Sequence, residues 1–241
     1  MDTSHVLYGF TDLKNLDSHG PIVLNKAKGA YVYDTNGKKY FDGNSGLWNS
    51  VVGFDHPKMI ATAQKQYEEL SGYHSLFGRI TEPAINLTNK LIEVSPFDEG
   101  KVFFTNSGSE ANDTAVKLLW FMNSHKGMPK KRKIITRYNS YHGVTVGAAS
   151  MTGKPYNDVF GLPLPDFIRS ACPHYWKFGN EGESEESFSL RMAQDLEDVI
   201  EKEGAETIAG FFAEPVMGAG GVIPPSKDYF KLIQPILKKH N

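Results

Sequence analysis

Three short segments of this 241-residue chain hold residue types that can grip an anion and a flat ring. In Thr105-Asn106-Ser107-Gly108-Ser109-Glu110-Ala111-Asn112, an aromatic and β-branched run ends in a Ser-Gly-Ser turn, and a helix is expected to start at once with Ser109 as its cap. The free N–H groups and positive dipole end of such a helix suit a phosphate, Gly108 allows close backbone approach, and Ser107 and Ser109 add hydroxyl donors. An ordinary capped helix start accounts for the same residues equally well. In Tyr138-Asn139-Ser140-Tyr141-His142-Gly143, the Tyr141 ring offers a face for offset stacking, although a core aromatic and a structural His142 are the plainer readings. In Phe211-Phe212-Ala213-Glu214-Pro215-Val216-Met217-Gly218-Ala219-Gly220-Gly221, the Glu214 carboxylate ends an apolar strand. It must therefore belong to a polar network.

Competing chemistries fit less well. Gly218-Ala219-Gly220 lacks the last glycine of a dinucleotide loop, because Ile223 stands there, and Pro224 and Pro225 follow where a helix should open. His125, His142 and His174 are scattered without zinc-ligand spacing, so no metal site is expected. There is no Gly-x-Ser-x-Gly elbow for a serine hydrolase.

The elements that position these segments read as an α/β fold. Tyr31–Tyr33 and Lys39–Phe41 face each other across Asn36-Gly37 as a hairpin near the N-terminus. Amphipathic helices are predicted over 57–70 and 82–94, the second with Thr81 as cap and Pro83 in its first turn. Strands over 102–105, 133–137, 167–170 and 208–213 alternate with helices over 109–123, just after His142, over 188–202 and over 229–239, the pattern of a mostly parallel sheet flanked by helices. Residues 179–187, with four Glu among Gly and Ser, read as an exposed loop. All three polar segments then lie at the carboxyl ends of strands, where such sheets bind ligands.

The wording of these segments resembles the class III aminotransferases, the fold-type-I pyridoxal-phosphate enzymes that include the ω-transaminases, and the likeness runs from the hairpin to the last helix. It implies an incomplete large domain over 57–241, preceded by a small-domain segment with the β-ribbon over 1–56. It implies that Ser107, Gly108 and Ser109 hold the phosphate of pyridoxal 5'-phosphate, that Tyr141 stacks on its ring beside His142, and that Glu214 and Val216 also lie against the cofactor. Trp48, in Asn44-Ser45-Gly46-Leu47-Trp48-Asn49, matches the aromatic of the substrate pocket. Leu76-Phe77 resembles the loop that reaches a neighbouring subunit's pocket, hence a homodimer. Tyr141 borders the substrate as well. The activity implied is amine:pyruvate or ω-amino acid transfer, from an amine donor to a keto-acid acceptor through pyridoxal and pyridoxamine phosphate.

Composition sets wider bounds. A formal charge of −2 gives no reason to expect nucleic acid, and the basic run Lys130–Lys133 reads as a solvated strand entrance. A lone Cys172 suits a reducing compartment, so cytosol is expected, and no stretch of about 20 apolar residues suggests a membrane. In the family, an Asp for the ring nitrogen and the lysine that carries the cofactor follow the helix corresponding to 229–239, and the sequence ends at Asn241 before either. Lys154, the lysine nearest a cofactor segment, stands in Thr152-Gly153-Lys154-Pro155, which is unlike the family's lysine segment. The chain alone is therefore expected to be inactive: a truncated piece, one part of a split enzyme completed by a C-terminal chain, or a non-catalytic module that binds a phosphate compound or a protein.

Overall fold

The computed structural model describes residues 2–97 and 99–241. By contacts the chain divides into two compact units, Met1–Lys101 and Val102–Asn241.

In the first unit a short helix α1 (Leu13–His19) precedes three antiparallel strands, β1 (Leu24–Lys28), β2 (Tyr31–Asp34) and β3 (Lys39–Phe41). The β2–β3 hairpin has the expected register, Tyr31 opposite Phe41 and Tyr33 opposite Lys39. Its turn is organised by Asp34, whose carboxylate accepts from the amides of Asn36 and Lys38 and from the Tyr40 hydroxyl, each at 2.9 Å. These three donors hold the Asp34 carboxyl below the usual carboxylate range despite burial, and Gly37 takes the positive φ the turn needs. A single helical turn α2 (Ser45–Trp48) follows, with Gly46 and Leu47 at positive φ, then α3 (Pro57–Leu70) and α4 (Glu82–Val94) at the predicted bounds. Thr81 occupies the cap of α4, but its side chain makes no capping bond.

The second unit runs α5 (Gly108–His125), β4 (Lys133–Arg137), α6 (Val146–Met151), β5 (Phe167–Ser170), α7 (Tyr175–Phe178), α8 (Glu185–Glu203), β6 (Ile208–Phe211) and α9 (Tyr229–His240). Its sheet has the order β5-β4-β6, all parallel, with Ile134 level with Phe167 on one side and Gly210 on the other. Residues 134–137 of β4 are buried, as a central parallel strand covered on both faces requires. The pleat divides them. Ile135 packs with Phe188, Leu196 and Ile200 of α8 and Tyr229 and Ile233 of α9, whereas Ile134 packs with Val116 of α5 and Met151 of α6. Each such buried side chain contributes about 1.5–3 kcal/mol relative to exposure.

Three expectations are corrected here. Val102–Thr105 is not a strand: no neighbouring strand among the described residues pairs with its backbone, and Phe103 stays 70% exposed. Helix α5 begins at Gly108, not Ser109, with Ser107 as its cap. The 179–187 segment is a loop only to Ser184, because the Ser184 hydroxyl accepts the Ser187 amide at 3.2 Å and Glu185 and Glu186 favour the dipole's positive end.

Candidate cofactor site

The first wall of the site is the start of α5. Ser107 Oγ accepts the Glu110 amide at 3.2 Å while Glu110 Oε2 accepts the Asn106 amide at 2.7 Å, a reciprocal cap that uses the Ser107–Glu110 spacing. The amides of Gly108 and Ser109, in the first two helical positions, have no intrahelical acceptor by geometry. A Cβ built on Gly108 meets no atom within 4 Å, so the space before the helix end is open. The Ser109 hydroxyl is buried and faces the second segment, accepting the Val144 amide at 3.0 Å.

That second segment turns away from the end of β4. Asn139 takes a left-handed φ of 66°, which asparagine tolerates, and buried Ser140 donates back to the Arg137 carbonyl at 2.7 Å. The half-buried Tyr141 then follows. His142 is fixed at both backbone groups: its amide donates to Thr152 Oγ1 at 2.9 Å, and its carbonyl accepts from Asn112 Nδ2 of α5 at 2.7 Å. Gly143, at φ 136°, lies so close to α5 that an added Cβ would stand 2.4 Å from Ser109 Oγ. Only glycine fits there. Burial, then the charges of Arg137 and Arg169, pulls the His142 imidazole down to about 4, so it is neutral, and its buried Nε2 has no partner among the described residues.

The third segment is joined to the second through Glu214. Its Oε2 accepts the Tyr141 amide at 3.1 Å, and its Oε1 accepts the Gly218 amide at 3.0 Å. Val216 leaves 47% of its surface open. The three segments thus meet in one place, with Ser107, Gly108, Ser109, Tyr141, His142, Glu214 and Val216 on one continuous set of hydrogen-bonded loops. An open amide-rich helix end beside a tyrosine and a neutral imidazole has the parts a phosphate bonded to a flat heterocycle requires. Trp48, Leu76 and Phe77 belong to the first unit, where all three are exposed, and Trp48 and Phe77 take positive φ.

Arg137, which the sequence reading passed over, lies beneath the site. Fully buried at the end of β4, it donates to the Glu214 carbonyl and stands 5.8 Å from the ring centres of Tyr229 and Phe230. Arg169 on β5 donates to Thr136 Oγ1 at 2.7 Å and to the carbonyls of Ser150 and Thr152. Neither forms an ion pair with a carboxylate among the described residues. The available signal was an arginine closing an apolar run, which a buried strand end tolerates only with partners.

The family described as aminotransferase class-III matches residues 14–241. The chain is 51% identical over 223 residues to gamma aminobutyrate transaminase 3, chloroplastic, of Solanum lycopersicum, a match covering 92% of this chain and 43% of that protein. It superposes at a TM-score of 0.96 and 60% identity on the PMP-bound form of an aminotransferase from Vibrio fluvialis, covering 98% of this chain and 52% of that one. An omega-aminotransferase from Paracoccus denitrificans gives a TM-score of 0.96 at 59% identity, covering 98% and 53%. The chain therefore spans about half the length of the relatives it matches.

Proposed function

The chain belongs to the class III aminotransferases, a family that uses pyridoxal phosphate, and from that premise we propose that it supplies the phosphate-gripping and ring-stacking half of an ω-amino acid or amine:pyruvate transaminase. The observation that carries the reading is the Ser109–Val144 hydrogen bond, which sets the amide-rich end of α5 directly against the turn that holds Tyr141.

In this reading the amides of Gly108 and Ser109 and the hydroxyls of Ser107 and Ser109 hold the phosphate, with the helix dipole contributing about 0.3–1 kcal/mol. Tyr141 covers one face of the ring, worth about 0.5–1.5 kcal/mol beyond area, and Val216 packs against it. Glu214 fixes the Tyr141 loop by accepting its amide, while neutral His142 adds no charge beside the ring. Bound pyridoxal phosphate supplies the aldehyde that takes up the amino group and a ring that draws electrons from the substrate carbon. The amine that moves the proton is assigned to no residue of this chain. Lys154, the nearest candidate, already donates to Asn139 Oδ1 at 2.6 Å and to the Ala219 carbonyl at 3.2 Å.

Trp48 is proposed to shape the substrate pocket, and Leu76 and Phe77 to reach a second subunit's pocket in a homodimer. Residues 1–56 and 57–241 are assigned to the small and the cofactor-binding domain, and the single Cys172 to the cytosol. Donors named for relatives include γ-aminobutyrate, which joins simple amines as a substrate to test. The test is to titrate the complete gene product with pyridoxal phosphate by absorbance, then to assay amine transfer to pyruvate from phenylethylamine, β-alanine and γ-aminobutyrate. Saturable uptake and transfer from at least one donor are expected. Uptake without transfer would leave a phosphate-compound-binding module, and no uptake would remove the cofactor site altogether.

A further inference from the structure

We propose that Lys154 is a positioning residue: with Asn139 it clasps the Met217–Ile223 turn onto the loop carrying Tyr141, and so sets the spacing between that loop and Val216. This deepens the cofactor reading above and rests on it.

Four contacts make the clasp. Lys154 Nζ donates to Asn139 Oδ1 at 2.6 Å and to the Ala219 carbonyl at 3.2 Å. Asn139 Nδ2 donates to the Gly220 carbonyl at 2.8 Å, and the Asn139 amide donates to the Gly153 carbonyl at 2.7 Å. Both sides are set for close approach. A Cβ on Gly220 would stand 2.9 Å from the Asn139 carbonyl oxygen, and one on Gly153 would collide at 2.2 Å with that of Arg137. The clasped turn is itself well formed: Met217 and Ile223 exchange backbone bonds at 2.9 and 3.1 Å, and the Val222 amide donates to the Gly218 carbonyl at 2.9 Å. Glu214 ties the start of this turn to Tyr141 through the Gly218 amide, and the Lys154–Asn139 pair holds its tip at Ala219 and Gly220. Buried Met217 and Ile223, packed with Cys172, anchor the base of the turn, so loss of the pair frees its tip. With the tip held as well, the turn keeps its spacing from the Tyr141 loop and Val216 its place.

The experiment uses the complete gene product as wild type, Lys154→Met, Lys154→Arg and Asn139→Asp. Asn139→Asp keeps the acceptor for Lys154 and loses the donor to Gly220. Two readouts are taken: amide exchange over 217–223 without cofactor, and titration with pyridoxal phosphate against titration with inorganic phosphate. Both Lys154→Met, which removes the two bonds from the ammonium, and Asn139→Asp, which removes the neutral bond to Gly220, are expected to speed exchange in the turn; Lys154→Met weakens pyridoxal phosphate about tenfold and Asn139→Asp by less. Inorganic phosphate, held by α5, changes less than about twofold, and Lys154→Arg keeps most of the affinity. Unchanged exchange in Lys154→Met overturns the clasp. Faster exchange with unchanged pyridoxal phosphate affinity overturns its positioning role. A wild type that takes up no cofactor sinks the parent reading instead, and the exchange data still decide the clasp.

Discussion

Replacing either of two glycines by alanine separates a fault in the scaffold from a fault in the ligand space. At Gly143 the new Cβ would sit 2.4 Å from Ser109 Oγ, 2.9 Å from Ser109 Cα and 2.8 Å from Ala148 Cβ. Those atoms ride on α5 and α6, so the clash cannot be relieved by turning one flexible side chain. Overpacking of this kind costs about 1–3 kcal/mol, and a non-glycine residue at φ 136° costs about as much again. Gly143→Ala should therefore destabilise the protein by about 2–6 kcal/mol, a fall of roughly 6 °C or more in Tm for a unit of this size. At Gly108 the same methyl meets nothing within 4 Å, at a first helical position where alanine is the better former by up to about 1 kcal/mol. Gly108→Ala should keep or slightly raise Tm, yet weaken phosphate and pyridoxal phosphate by at least about tenfold, because the methyl occupies the approach to the helix amides. Both are measured by thermal melts without cofactor, so that ligand binding does not mask the change, and by absorbance titration. A Gly143→Ala protein melting within about 2 °C of its parent would falsify the steric argument. A Gly108→Ala protein with undiminished affinity would show that no ligand sits at the helix end.

His142 gives a pH signature. Its folded value of about 4 lies below the free value of 6.5, so between these pH values the unfolded chain takes up a proton that the folded chain refuses. Stability present above pH 6.5 is lost as pH falls toward 4, by about 3 kcal/mol, and a series of urea midpoints should slope less in His142→Asn than in wild type. Arg137→Met removes one of the charges that oppose protonation, so the His142 imidazole should titrate higher by NMR yet still below 6.5, because burial remains the larger cause. An unmoved His142 resonance in that variant would count against the assignment. Glu214→Gln replaces an oxygen acceptor by an amide nitrogen, leaving the Tyr141 or the Gly218 amide without its partner. A loss of about 1–3 kcal/mol in stability and a weaker pyridoxal phosphate titration are expected, and wild-type values in both would contradict the bridging role.

Local signals and long-range ones differed in how far the sequence disclosed them. Helices α3 and α4 were legible because a 3.6-residue apolar period and a first-turn proline are carried by adjacent residues, and β4 and β5 because a short apolar run between breakers admits few other readings. Strand β1 was not legible. Leu24-Asn25-Lys26-Ala27-Lys28 shows no apolar alternation, and it is a strand because β2 offers it backbone partners. The 102–105 segment fails in the opposite sense: its residues favour a strand, but it has no such partner among the described residues. Ser107–Ser109, Tyr141 and Glu214 stand out in the sequence by their wording and residue types, and the structure brings their loops together. The bonds that join them span 30 to 81 positions, from Asn112 to His142, Glu214 to Tyr141 and Asn139 to Gly220, and no local pattern announces them.

One field explains why an anion suits this place. The end of α5 carries partial positive charge, and the buried Arg137 and half-buried Arg169 have no carboxylate partner among the described residues. That field raises the cost of a further cation and so adds to burial, the larger reason that the His142 imidazole stays neutral. It lowers the cost of an anion by the same token, since a phosphate at Gly108 and Ser109 relieves the charge that protonation of His142 would add to. In the proposed reading a phosphate at the helix end would answer the same positive charge that, together with burial, keeps His142 neutral. The reciprocity is thermodynamic: an anion that eases protonation of His142 is itself held more tightly once His142 is protonated.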